Sequence, residues 1–131
     1  MVMRDVVYPE NRQASYDAYG YSAAVRSGGF LFVSGQVGVD GIGATIQNPA
    51  RQFRTAFSNL GEVLSAAGCG FDDIVDLTTF HVNMYEHFDD FAAAKRIVFP
   101  EPPFPNWTAI GVVNLAEADL LLEIKAIARL G

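Results

Sequence analysis

Phe53, Phe57, Leu60 and Leu64 recur at spacings of four, three and four residues. That is the signature of a helix with one apolar stripe, and such a stripe must bury against another layer. Asn48-Pro49 pairs a good N-cap with a proline suited to a first helical turn, and Ala67-Gly68 is a stop signal, so the spacing predicts a helix from Pro49. The layer it needs is supplied by β-prone runs on both sides. Tyr21 to Arg26 leads through Ser27-Gly28-Gly29 into Phe30 to Val37, a hairpin signature. Ile74 to Val82 is a further β-prone run, and Asp89 to Phe99 carries Phe91, Ile97 and Phe99 on a second, alanine-rich helix. The prolines Pro100, Pro102, Pro103 and Pro105 forbid regular pairing, after which Trp107 to Val113 and Leu120 to Leu130 read as closing strands.

The predicted order is β-β-α-β-α-β-β, with an optional extra strand in Val2 to Tyr8. This is an α+β fold, a mixed sheet with two helices on one face. The other face would stand uncovered in a monomer, and copies of the same face closing into a ring cover it most economically. Half of the 131 residues are hydrophobic and only 18% are charged, enough to fill a core and leave apolar surface for a partner subunit. No linker or charge run divides the chain, which reads as a single domain over 1–131.

Charge narrows the function. A net charge of −6 gives no basis for gripping a phosphate backbone, so nucleic acid is not an expected partner. The apolar runs are too short to span a bilayer, and the single Cys69 cannot form an internal disulfide; together with an N-terminus lacking an apolar signal core, these point to the cytoplasm. His81 and His87 have no companion carboxylate at ligand spacing, Cys69 has no basic neighbour in sequence, and no Walker loop or dinucleotide fingerprint occurs. Neither a metal nor a cofactor is expected.

Several words then become specific. Tyr21-Ser22-Ala23-Ala24-Val25, Phe32-Val33-Ser34-Gly35-Gln36-Val37, Asn59-Leu60 through Ala66-Ala67-Gly68, and Glu123-Ile124-Lys125-Ala126-Ile127-Ala128 stand in an order that resembles the RidA/YjgF family. Phe104-Pro105-Asn106-Trp107-Thr108-Ala109, with Ala67-Gly68-Cys69 and Phe80-His81, is similar to its YjgH-type branch. The resemblance implies a homotrimer around a central β-barrel, with three small-molecule clefts at the subunit boundaries. Members of its deaminase group hydrolyse reactive enamines and imines derived from amino acids. An older family label is endoribonuclease L-PSP, which the acidic balance of this chain argues against carrying over.

By the same resemblance, Glu123 matches the position proposed to activate the attacking water, Ser34 and Gly35 match cleft residues that hold a ligand oxygen, and Tyr21 matches the residue whose ring closes the cleft. Asn106 and Trp107 fall in the stretch that completes the ligand-binding set. The deaminase group carries an arginine just before the Ser/Thr-Ala opening the fifth strand, where it clamps the substrate carboxylate. Here that position is Trp107, whose single N–H cannot imitate a bidentate guanidinium. Trp107 would either line the cleft with Tyr21, favouring a flat or cationic ligand, or plug it. Glu123 and Lys125, two apart on a strand and about 6.6 Å apart along it, would either offer Lys125 to a ligand carboxylate or neutralise each other. The expectation is a binder of an unknown small-molecule metabolite that is not a 2-imino-acid deaminase. The alternatives are a hydrolase of an imine, enamine or related C–N substrate in which Glu123 orients water, and a protein-interaction scaffold.

Overall fold

The computed structural model describes residues 3–131. In chain order the elements are β1 (Asp5–Val7), α1 (Gln13–Tyr19), β2 (Ala24–Ser27), β3 (Phe30–Val37), α2 (Pro49–Ala66), β4 (Ile74–His81), α3 (Met84–Val98), β5 (Asn106–Gly111) and β6 (Leu122–Arg129). The six strands form one mixed sheet in the order β1-β2-β3-β6-β4-β5. Every neighbouring pair is antiparallel except β4 and β5, which α3 joins as a parallel crossover.

Local chemistry explains most of these elements. Gly28 and Gly29 both adopt positive φ, as the tight turn of the β2–β3 hairpin demands. Asn48 accepts a hydrogen bond from the Arg51 N–H at 3.0 Å, with Pro49 in the first turn of α2. The stripe of α2 is buried as its periodicity requires, and Phe57 stacks on Phe91 of α3 at 6.1 Å. Leu31 and Val33 of β3, Leu77 of β4, and Leu122, Ile124, Ala126 and Ala128 of β6 complete the core on the helix side of the sheet.

Two features depart from the sequence-based expectation, and an optional one is borne out. The chain has a third α-helix, α1, which buries none of its residues and so carries no apolar stripe to betray it. Helix α3 begins at Met84 rather than Asp89, started by Asn83 in the left-handed conformation. The optional first strand is real at Asp5–Val7, while Val2 lies outside the described residues.

Strand alternation leaves the opposite face of the sheet without a helix. Across it runs a row formed by Val6 of β1, Val25 of β2, Phe32 of β3 and Ile127 of β6. Val6, Phe30, Phe32 and Ile110 are between 39% and 43% exposed, so this face is apolar and open in a single chain.

Candidate functional site

Glu123 stands on the open face because its neighbours Leu122 and Ile124 point into the core. Beside it β3 carries a bulge: Val33 pairs with Ala126 and Gln36 with Ile124, so Ser34 and Gly35 together oppose Lys125. The bulge brings Gly35 against Glu123 so closely that a Cβ at residue 35 would lie 2.5 Å from the glutamate Cδ and Oε2. Glycine is required here for space, not for an unusual φ. The Ser34 hydroxyl donates to the Ser22 carbonyl at 2.7 Å, which fixes the bulge to the segment before β2. Its proton is thereby committed, and toward a ligand it offers lone pairs.

Tyr21 reaches this group from the same segment, its ring edge-on to Tyr16 at 5.0 Å. Burial first, then the nearby Tyr16, Glu123 and Tyr19, push its phenol pKa up. Burial also raises the Glu123 pKa, an effect that the charge of Lys125 partly offsets. Two further residues belong to this group and were not singled out in the sequence. The buried Gln36 donates to the Ser34 carbonyl at 3.2 Å and exchanges hydrogen bonds with the Tyr16 hydroxyl at 3.2 and 3.4 Å. Gln36 lies inside the word Ser34-Gly35-Gln36, so a buried amide next to a bulge was the available signal; Tyr16 lies on α1 and gave none.

Lys125 shares the open face with Glu123, paired across β4 with Thr78, which pairs in turn with Thr108. No ion pair joins Lys125 to Glu123; among the described residues Arg26 pairs with Asp5 at 3.1 Å, and the His87 ring comes within 3.9 Å of Glu86.

Asn106 and Trp107 open β5, the edge strand. Trp107 pairs with the buried Leu77 and therefore stands on the helix side, opposite to Glu123. Its ring lies against Phe88 and Phe91 of α3, with centroids 6.4 and 6.0 Å away, and Lys95 places its ammonium 4.3 Å above the indole centroid. The indole N–H donates to Thr79 Oγ1 at 2.9 Å, and the same oxygen meets Nε2 of the buried His81 at 2.7 Å. Burial lowers the pKa of His81, which fits a neutral ring accepting the Thr79 proton. Burial, then Arg96, also lowers the Lys95 pKa.

One chain thus gathers Tyr21, Ser34, Gly35 and Glu123 at one place and holds Trp107 on the other side of the sheet, while its neighbour Asn106, in register with Asp76 and Ile127, stands at the far edge of the open face. Depressions form between α2 and α3 around Phe57, Phe71 and Ile97, and beside Tyr8 to Arg12, but Glu123 lines neither. Among the described residues no three His, Cys, Asp or Glu side chains gather to hold a metal ion, and no helix is long and apolar enough to cross a membrane.

Comparison with known proteins places this architecture. Residues 11–130 match the family described as Endoribonuclease L-PSP. The chain belongs to that family. The RutC family protein YjgH of Escherichia coli (strain K12) is 49% identical over 130 residues, covering 99% of this chain and 98% of that protein. A solved structure of YjgH superposes with a TM-score of 0.92 at 48% identity, covering 98% of each chain. A 2-iminobutanoate/2-iminopropanoate deaminase of Dermatophagoides farinae is 32% identical over 111 residues, covering 82% of this chain and 83% of that protein. The family thus joins proteins close to this one throughout their length with more distant imine deaminases.

Proposed function

We propose that the chain binds a small metabolite in clefts between copies of itself, and that it is not a 2-imino-acid deaminase. The observation that carries this reading is Trp107. At the position where the deaminase pattern places its guanidinium, this chain has an indole turned onto α3 and hydrogen-bonded to Thr79. Substrate carboxylate would lose a bidentate, charge-assisted anchor, and removing one partner of such a buried pair costs about 2 to 5 kcal/mol. That exceeds a tenfold loss of affinity. The nearby Lys95 does not replace it, since its ammonium lies over the Trp107 ring on the helix side.

The separation of the two residue groups supports a cleft between subunits: a single chain cannot bring Trp107 of its edge strand to the face of its own Glu123. The open apolar face supports self-association, and the family resemblance supplies three as the number of copies. The reading calls for no cofactor. With a net charge of −6 the family's ribonuclease title is not carried to this chain.

A second reading is favoured by one feature. Glu123 is half-buried with a raised pKa, suited to orienting and deprotonating a water for attack on a C–N double bond that lacks a neighbouring carboxylate. The two readings separate when 2-iminobutanoate, generated enzymatically in place, is offered to the wild type and to Trp107→Arg while ammonia is followed. No acceleration by the wild type is expected; gain of activity in the variant alone would support a competent hydrolytic centre.

A further inference from the structure

Glu123 presents a carboxyl group that the protein does not answer. It is half-buried, none of the side-chain hydrogen bonds among the described residues reaches it, and Lys125 stays beyond ion-pair distance. Every fully buried side-chain nitrogen and oxygen among the described residues has a partner, so the unpaired Glu123 oxygens are ones that solvent reaches. A half-buried carboxyl that still meets water and is given no donor by its own chain is open to a ligand that brings donors with it.

The surroundings specify which donors. The Tyr16 hydroxyl is engaged with the Gln36 amide and the Ser34 proton with the Ser22 carbonyl. What remains toward the site is the carboxylate, hydroxyl lone pairs and Tyr21, whose half-exposed ring attracts positive charge while its hydroxyl can donate as well as accept. Beneath the carboxylate, Gly35 offers bare backbone. An anion placed here would face Glu123 across a short gap, and a chain with a net charge of −6 draws cations toward its clefts.

We propose that the Glu123 group takes a compact planar cation bearing N–H groups, of the amidinium or guanidinium class, with its N–H donors on the Glu123 carboxylate and its flat face on Tyr21. Two N–H groups of such a cation match the two carboxylate oxygens in parallel. Lys125, one side-chain step along the same face of β6, limits the cation's length and excludes an extended polyamine. This assignment rests on the small-molecule reading above and names its ligand class.

The intact protein is titrated calorimetrically at pH 8 with benzamidinium, neutral benzamide, benzoate and 2-oxobutanoate, in the wild type, Glu123→Gln, Tyr21→Leu and Gly35→Ala, each checked for folding by its melting curve. Benzamidinium is expected to bind at least about tenfold more tightly than benzamide or benzoate, the increment of one charge-assisted pair. Glu123→Gln should bring it to the level of benzamide, and Gly35→Ala, which pushes the carboxyl aside without changing its chemistry, should weaken it as well. Tyr21→Leu should weaken benzamidinium and benzamide together. Tightest binding by benzoate, or benzamidinium binding that ignores Glu123→Gln, overturns the assignment. If 2-oxobutanoate binds and benzamidinium does not, the cation assignment falls while the small-molecule reading stands; silence toward all four ligands removes both.

Discussion

At the scale of single residues, Glu123 and Trp107 do opposite things. Glu123 carries a burial cost without a partner. Its folded pKa lies above its unfolded one, so the folded chain holds the proton more tightly, and ionisation subtracts stability as pH rises from the unfolded value through the raised one. Below the unfolded value both states are protonated and the penalty vanishes. Glu123→Gln should therefore raise the melting temperature at pH 8 and leave little difference at pH 4, as read from paired thermal melts. Burial raises this pKa, and the charge of Lys125 pulls it back toward its ordinary value. Trp107, by contrast, is satisfied at every point. Trp107→Phe keeps the ring against Phe88 and Phe91 but deprives Thr79 of its donor, a loss of about 1 kcal/mol, while Trp107→Ala also forfeits the aromatic packing and should cost roughly 2 kcal/mol or more in urea unfolding. An arginine at residue 107 would meet the Lys95 ammonium that now rests on the indole, so a Trp107→Arg variant is best tested also with Lys95→Ala.

Among the elements, β6 carries Glu123, and what holds the start of β6 in place is a side chain of α2. Gln52 is fully buried: its amide nitrogen donates to the carbonyls of Ile46 at 2.9 Å and Asp119 at 3.0 Å, and its oxygen accepts from the Leu121 N–H at 2.7 Å. Gly38 leaves room for it, since a Cβ there would lie 2.2 Å from the Gln52 carbonyl oxygen. Gln52→Leu keeps the volume but strands three backbone groups, and the expected loss is about 3 kcal/mol by denaturant unfolding. The β2–β3 hairpin, α2 and the two closing strands were legible in the sequence because glycine pairs, an Asn-Pro cap and apolar periodicity act locally. Glu123, Ser34, Gly35 and Tyr21 came from the family resemblance, and the folded chain does bring these four together. Helix α1 was not legible, because none of its residues is fully buried and its Tyr16 acts through Tyr8, Tyr21 and Gln36, partners that only the tertiary fold brings to it. The side of the sheet taken by Trp107 was also hidden, because it depends on the parallel register that sets Trp107 beside Leu77. Gln52 sits beside the apolar stripe as a polar residue, and its burial follows from partners brought together by the tertiary fold.

For the molecule as a whole, the open sheet face decides whether the candidate site is complete. The row Val6, Val25, Phe32 and Ile127 crosses four strands, and Ile110 extends the apolar surface toward the β5 edge. Native mass measurement should give three chain masses, and Phe32→Asp, which puts a charge in the middle of that row, should lower the mass to one and abolish ligand binding without unfolding the chain. A monomeric wild type would remove the cleft between subunits. The missing guanidinium is tested by the rate of ammonia release from freshly generated 2-iminobutanoate with and without the wild-type protein. With an indole at residue 107 the two rates should be equal; rapid turnover by the wild type would show that the chain holds a substrate carboxylate without that guanidinium.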